Sequence, residues 1–92
     1  VPVAGGLAKT GIPYAQEMGD EVVQVFVANP RGWATVPGNP DQDEAFRAAC
    51  TQQGIPAYVH APYLINFGSH TEATVEKSVA SLRHSLRRGR EI

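Results

Sequence analysis

Apolar positions along the chain switch between two spacings, and the switches mark out alternating strands and helices. Glu21-Val22-Val23-Gln24-Val25-Phe26-Val27 is the clearest strand, mostly β-branched and apolar on both alternating faces. That is how a parallel strand covered on both sides reads. A second strand is expected where Ile55-Pro56-Ala57 leads into Tyr58-Val59-His60, with Gly54 before the run and Pro62 after it as punctuation. Val1-Pro2-Val3-Ala4 reads as the tail of a further strand, with Gly5-Gly6 turning the chain into a helix.

Between the strands the spacing becomes helical. Leu7, Tyr14, Ala15 and Met18 repeat on one face with Gly11, and Pro13 predicts a kink or a late helix start there. Gly19 is placed to end that helix in a left-handed cap. In the next helix Asn39 is the expected N-cap, Pro40 takes the first helical position and Gln42 closes a capping box. Asp41, Asp43 and Glu44 suit its positive end, Phe46, Ala49 and Cys50 form its inward face, and Gly54 ends it. The third helix is expected from a Ser69–Glu72 capping box, with Val75, Val79, Leu82 and Leu86 as its apolar stripe. Strand, helix, strand, helix, strand, helix is the order of βαβ units on a parallel sheet. The fold class is α/β, about three β/α units, whereas a whole (β/α)8 barrel takes about 250 residues. Residues 1–92 are therefore expected to be an incomplete single domain, a piece of a larger protein.

Composition narrows the picture only slightly. A net charge of −1 does not announce nucleic-acid binding, although four of the eight basic residues fall between Arg83 and Arg90. That cluster reads as a solvated helix face. The single cysteine, Cys50, excludes an internal disulfide and reads as a small buried apolar residue in a reducing, cytoplasmic setting. No apolar run approaches the roughly 20 residues of a membrane span, and Val1-Pro2-Val3 lacks the basic start of a signal peptide. The chain opens on Val1 rather than Met, so its true start is expected upstream.

Candidate chemistry concentrates in Tyr58-Val59-His60-Ala61-Pro62-Tyr63-Leu64-Ile65-Asn66. A histidine at the C-terminal end of a strand stands where α/β barrels put metal ligands and acid–base groups. Taken alone, His60 reads better as a histidine satisfied by a backbone carbonyl. The residues around it change the balance. Together with Gly5-Gly6-Leu7-Ala8, the strand Val23-Gln24-Val25-Phe26, the loop Asn29-Pro30-Arg31-Gly32-Trp33 and the later segment Glu72-Ala73-Thr74-Val75-Glu76-Lys77-Ser78, this stretch resembles the N-terminal third of the endonuclease IV family. His60-x-x-Tyr63-Leu64-Ile65-Asn66 is the most specific part of the likeness, which runs through essentially the whole chain.

The resemblance implies a xylose isomerase-like TIM barrel that holds three zinc ions. It implies hydrolysis of the DNA phosphodiester on the 5′ side of an abasic site, leaving a 3′-hydroxyl and a 5′-deoxyribose phosphate. His60 corresponds to a zinc ligand, and Tyr63 and Leu64 to a turn pushed into double-stranded DNA at the lesion. Arg31 matches a second DNA-inserting residue, and the protein is expected to act as a monomer. An aromatic followed by an aliphatic side chain on a Pro-stiffened turn makes a sensible wedge, and a guanidinium can stack on a base and pair with phosphate. Asn66 is expected to fix the turn through its side chain and Trp33 to pack its loop, while His70 and His84 stay outside the metal set. The remaining ligands would come from a histidine before Val1 and from strands beyond Ile92, so the 92 residues alone are expected to be inactive and to fold poorly with a bare sheet edge.

Two other readings stay open at this point. A sugar isomerase or epimerase on a related barrel would use His60 for a metal or a keto-sugar, but has no need of Arg31, Tyr63 and Leu64 as protruding groups. A non-enzymatic remnant is separated from both by whether the reading frame continues past Ile92.

Overall fold

The computed structural model describes all 92 residues. A π-helical turn at Leu7–Gly11 runs into helix α1 (Ile12–Met18), followed by strand β1 (Val23–Val25), helix α2 (Pro40–Gln53), strand β2 (Ala57–Val59) and helix α3 (Glu72–Glu91). The two strands pair in parallel, Val23 against Ala57, Gln24 against Tyr58 and Val25 against Val59. Bonds from Val23 N–H to the Pro56 carbonyl (3.0 Å) and from His60 N–H to the Val25 carbonyl (2.8 Å) carry the ladder past both ends. Parallel strands need a crossover, and α2 supplies it.

The expected strand at Val1–Ala4 does not form. The Val1 amine reaches the Gln24 carbonyl at 3.2 Å, and one bond does not make a ladder. The expected strand Glu21–Val27 likewise shortens to Val23–Val25, because it finds a partner along that length only. Within these 92 residues it is covered on one face. Val23 and Val25 are buried while Gln24 between them is exposed, so the helices cover one side of the sheet.

The two units share a backbone plan. Gly19 (φ 70°) and Gly54 (φ 64°) take left-handed conformations that end α1 and α2 just before their strands. In both, the next amide bonds back into the last turn, Asp20 N–H to the Ala15 carbonyl and Ile55 N–H to the Cys50 carbonyl, each at 2.9 Å. Each strand is then followed by a ring, Phe26 after β1 and His60 after β2. Leu7, Ala15, Val23, Val25, Phe46 and Cys50 form the core packed among these elements. Of the face expected to point inward, Leu7, Gly11 and Ala15 are buried, whereas Tyr14 and Met18 are exposed.

Helix starts follow the sequence in part. The α-helix begins at Ile12, with Pro13 in its first turn. Asn39 Oδ1 caps α2 by accepting from the N–H groups of Asp41 (3.1 Å) and Gln42 (3.2 Å). Gln42 does not close a capping box, however. Its Oε1 accepts from Ala8 N–H (3.0 Å) and Lys9 N–H (2.9 Å), satisfying donors at the start of the first helical segment. At α3 the Ser69 hydroxyl accepts from Thr71 N–H (3.1 Å), and Thr71 holds the cap position without a side-chain bond.

The largest departure is the buried face of α3. Ser78, Ser81, Ser85 and Arg88 are buried, whereas Leu86 of the expected stripe is 64% exposed. Small side chains let the helix come close to its neighbours. At Gly89 a Cβ would lie 3.6 Å from a Val59 methyl, an ordinary packing contact.

Candidate functional site

His60 stands directly beyond β2, on the same sheet face as Phe26 beyond β1 by strand alternation. Its Nδ1 lies 2.6 Å from the Ala61 carbonyl oxygen. Nδ1 therefore carries the hydrogen and donates it, leaving the Nε2 lone pair for a metal, which is the usual way a backbone carbonyl orients an imidazole ligand. The ring packs against Phe26, with centroids 4.7 Å apart and tilted, and meets Tyr63 edge to face at 5.5 Å. Phe26 also meets Tyr63 edge to face at 5.4 Å. Both readings of His60 thus share one geometry: one nitrogen is satisfied by backbone and the other is available.

The turn after β2 is built from its own residues. Pro62 is buried, and Ile65 N–H bonds back to its carbonyl at 3.4 Å. Asn66 Oδ1 accepts from Gly68 N–H at 3.0 Å, so Asn66 fixes the turn through its side chain as its sequence position suggested. Asn66 N–H donates to Ser78 Oγ at 2.8 Å, which docks the turn on α3. Tyr63 and Leu64 are carried outward, 59% and 38% exposed. Neither is core cover. Arg31 lies on the loop after β1, exposed, in a turn where Asn29 Oδ1 accepts its N–H at 3.0 Å. The loop and the turn are tied where Tyr63 N–H donates to the Pro30 carbonyl at 2.8 Å, so Arg31, Tyr63 and His60 belong to one surface. Trp33 is half-buried.

The far part of the Arg31 loop is held by α3. Arg88 makes a two-pronged ion pair with Asp43 (2.7 and 2.8 Å), both side chains buried, and reaches Glu91 at 2.9 Å. The hydrogen bonds that Arg88 donates to Asp43 raise its pKa above the ordinary arginine value, outweighing the burial that lowers it. Gly38 lies against this pair, and a Cβ there would run into both charged groups. One turn earlier on α3, His84 bonds the Val36 carbonyl through Nε2 at 2.9 Å. Arg88 and His84 were expected on a solvated face. Their partners lie in α2 and in the loop, too far along the chain for local spacing to reveal.

The largest cleft, about 680 Å³ between α2, β2 and α3, lies away from this surface, and none of the four clefts is lined by His60 or Tyr63. Nowhere in the chain do three or more His, Cys, Asp or Glu side chains gather. His60 fits zinc as a single nitrogen donor, and these residues alone do not complete a coordination sphere. Cys50 is buried, and burial raises its thiol pKa, so it is not poised as a ligand. No helix is long and apolar enough to cross a membrane.

Comparison with known proteins is consistent with this geometry. Residues 12–92 match the family described as xylose isomerase-like TIM barrel. Over its whole length the chain is 78% identical to a probable endonuclease 4 of Streptomyces avermitilis and 75% identical to that of Streptomyces coelicolor, covering 30% and 31% of them. It is 40% identical over 86 residues to an endonuclease 4 of Thermus thermophilus, 91% of this chain and 32% of the relative. A crystal structure of endonuclease IV from Thermus thermophilus superposes with a TM-score of 0.84 at 38% identity, covering 94% of this chain and 32% of that one. The chain thus spans about a third of the length of these relatives. Its two parallel strands and three helices are part of a barrel, and the chain belongs to the xylose isomerase-like TIM barrel family, within it to the endonuclease IV type.

Proposed function

We propose that the protein carrying this segment is a zinc-dependent abasic-site endonuclease of base-excision repair. It hydrolyses the phosphodiester 5′ to the lesion, water adding across the P–O3′ bond to leave a 3′-hydroxyl and a 5′-deoxyribose phosphate. The observation that carries this reading is the common surface. The free Nε2 of His60, the exposed ring of Tyr63 and the Arg31 loop are joined by three ring contacts and one backbone bond. Zinc, when bound, supplies an activated water and positive charge against the leaving oxygen. His60 holds one position of that group through Nε2. Tyr63 and Leu64 fill the space opened when a nucleotide leaves the stack, offsetting part of the few kcal/mol of lost stacking. Arg31 pairs with phosphate or stacks on a base beside them. A sugar enzyme has no need of protruding side chains, so Arg31, Tyr63 and Leu64 are the residues that separate the two readings. The 92 residues alone bring one donor to a three-ion chemistry and are inactive in this reading.

The test is incision of a duplex carrying one abasic site by the complete protein, with and without chelator, and by His60→Ala. Incision on the 5′ side that is lost on prolonged chelation and lost in the variant supports the reading. A folded, zinc-loaded protein that leaves the duplex intact overturns it.

A further inference from the structure

The function proposed above uses His60 and Tyr63 but leaves Phe26 without a role. Phe26 is half-buried at the end of β1, and its ring is in contact with both of the others, 4.7 Å from the imidazole and 5.4 Å from the phenol ring. The backbone explains why it stands there. Val25 pairs with Val59, so the residues after them, Phe26 and His60, are neighbours on one sheet face. The Nδ1 bond to Ala61 fixes the imidazole at one atom, and the remaining freedom is rotation about its side-chain bonds. The face of Phe26 limits that rotation. On its other side the exposed Tyr63 ring has a backbone anchor at Pro30, but for its ring the aromatic neighbours are Phe26 and His60.

Resting on that reading, we propose that Phe26 is a positioning residue that couples the metal ligand to the DNA wedge. By holding both rings in one arrangement it makes zinc binding at His60 and duplex binding at Tyr63 favour each other. Linkage requires the effect to be mutual: whatever zinc does for the duplex, the duplex does for zinc. Residues that orient a ligand in this way commonly change metal affinity tenfold or more when replaced.

The experiment uses the complete protein and reads zinc retention against a competing chelator, duplex affinity in the zinc-loaded state, and the thermal midpoint. Phe26→Leu removes the ring and keeps an apolar side chain; Phe26→Tyr keeps the ring. The expected result is about tenfold weaker zinc retention and weaker duplex binding in Phe26→Leu, with both restored in Phe26→Tyr. Tyr63→Leu, a change at an exposed turn, is expected to weaken zinc retention in the wild-type background and to add nothing in Phe26→Leu. Because Tyr63 also meets His60 directly, the comparison needs a change at Phe26, and Phe26→Met takes the place of Phe26→Leu should the latter not fold. Unchanged zinc retention in Tyr63→Leu, or loss of zinc without loss of duplex affinity in Phe26→Leu, overturns the coupling. A wild-type protein that binds neither zinc nor the abasic duplex overturns both this inference and the function beneath it, and the wild-type control tells the two failures apart.

Discussion

Tyr63 N–H donates to the Pro30 carbonyl at 2.8 Å, and that bond ties the turn after β2 to the loop after β1. The bond uses the backbone of Tyr63 and leaves its ring outward, next to a loop that presents Arg31. Tyr63→Ala should therefore weaken binding of an abasic duplex by about 1–3 kcal/mol, the usual worth of one stacked base. Arg31→Ala should weaken it too, and the double variant should fall short of the sum because the two share a support. Fluorescence anisotropy of the zinc-loaded protein measures all three. Additive losses would mean that loop and turn act separately.

Two serines one α3 face apart should behave in opposite ways. Ser78 Oγ accepts from Asn66 N–H (2.8 Å) and donates to the Thr74 carbonyl (2.7 Å), whereas the Ser85 hydroxyl is buried without a partner. Ser78→Ala strips a donor of its acceptor and should cost about 1–3 kcal/mol in urea denaturation. Ser85→Ala removes an unpaired polar atom and should be neutral or stabilising. The reverse order would contradict the assigned bonding.

Arg88→Met leaves the Asp43 carboxylate buried without its partner. Breaking a buried pair from one side costs about 3–5 kcal/mol, while replacing both members by apolar groups costs much less. Chemical denaturation of Arg88→Met and of Arg88→Met with Asp43→Leu should show that asymmetry. Gly38→Ala, whose Cβ meets the same two groups, should also destabilise and loosen the Arg31 loop, read as faster proteolysis near residues 31–38.

Burial raises the Cys50 thiol above its ordinary 9.0, which sets a sign for alkaline stability. The folded state holds the proton more tightly than the unfolded state. Its contribution is whole below the unfolded-state pKa near 9.0 and is lost as pH rises through the folded-state value. The urea midpoint should fall on going from about pH 8 to about pH 10, and Cys50→Ala should flatten part of that slope. Arg88 is shifted in the same sense and acts only at still higher pH. An unchanged slope in Cys50→Ala would mean that the thiol titrates as in the unfolded chain.

Local rules reached the parts of this chain whose partners are local. Asn39 as a cap, Gly19 and Gly54 as left-handed ends, and Phe46 with Cys50 as an inner face depend on neighbours within a turn or two, and each is where its sequence position put it. His60 at a strand end was legible because Tyr58, Val59 and the stop at Pro62 are local signals, although the strand itself forms by pairing with β1. The face of α3 was not. Apolarity favoured Val79 and Leu86, but the neighbours of this helix require small side chains and a guanidinium, since Arg88 meets a carboxylate 45 positions away. Gln42 failed for the same reason, its amide serving Ala8 and Lys9 instead of its own helix. The short strands and the missing first one reflect pairing along one edge only.

Phe26 and His60 occupy equivalent places in two units of one backbone plan, each following a left-handed glycine and a three-residue strand. The ladder decides where such a place stands, and the side chain alone decides whether it packs or donates electrons. Chemistry can then change hands by one codon while the scaffold stays still, since neither ring is needed to close a helix or pair a strand. Units that share a backbone plan in this way separate the inheritance of shape from the invention of reactivity.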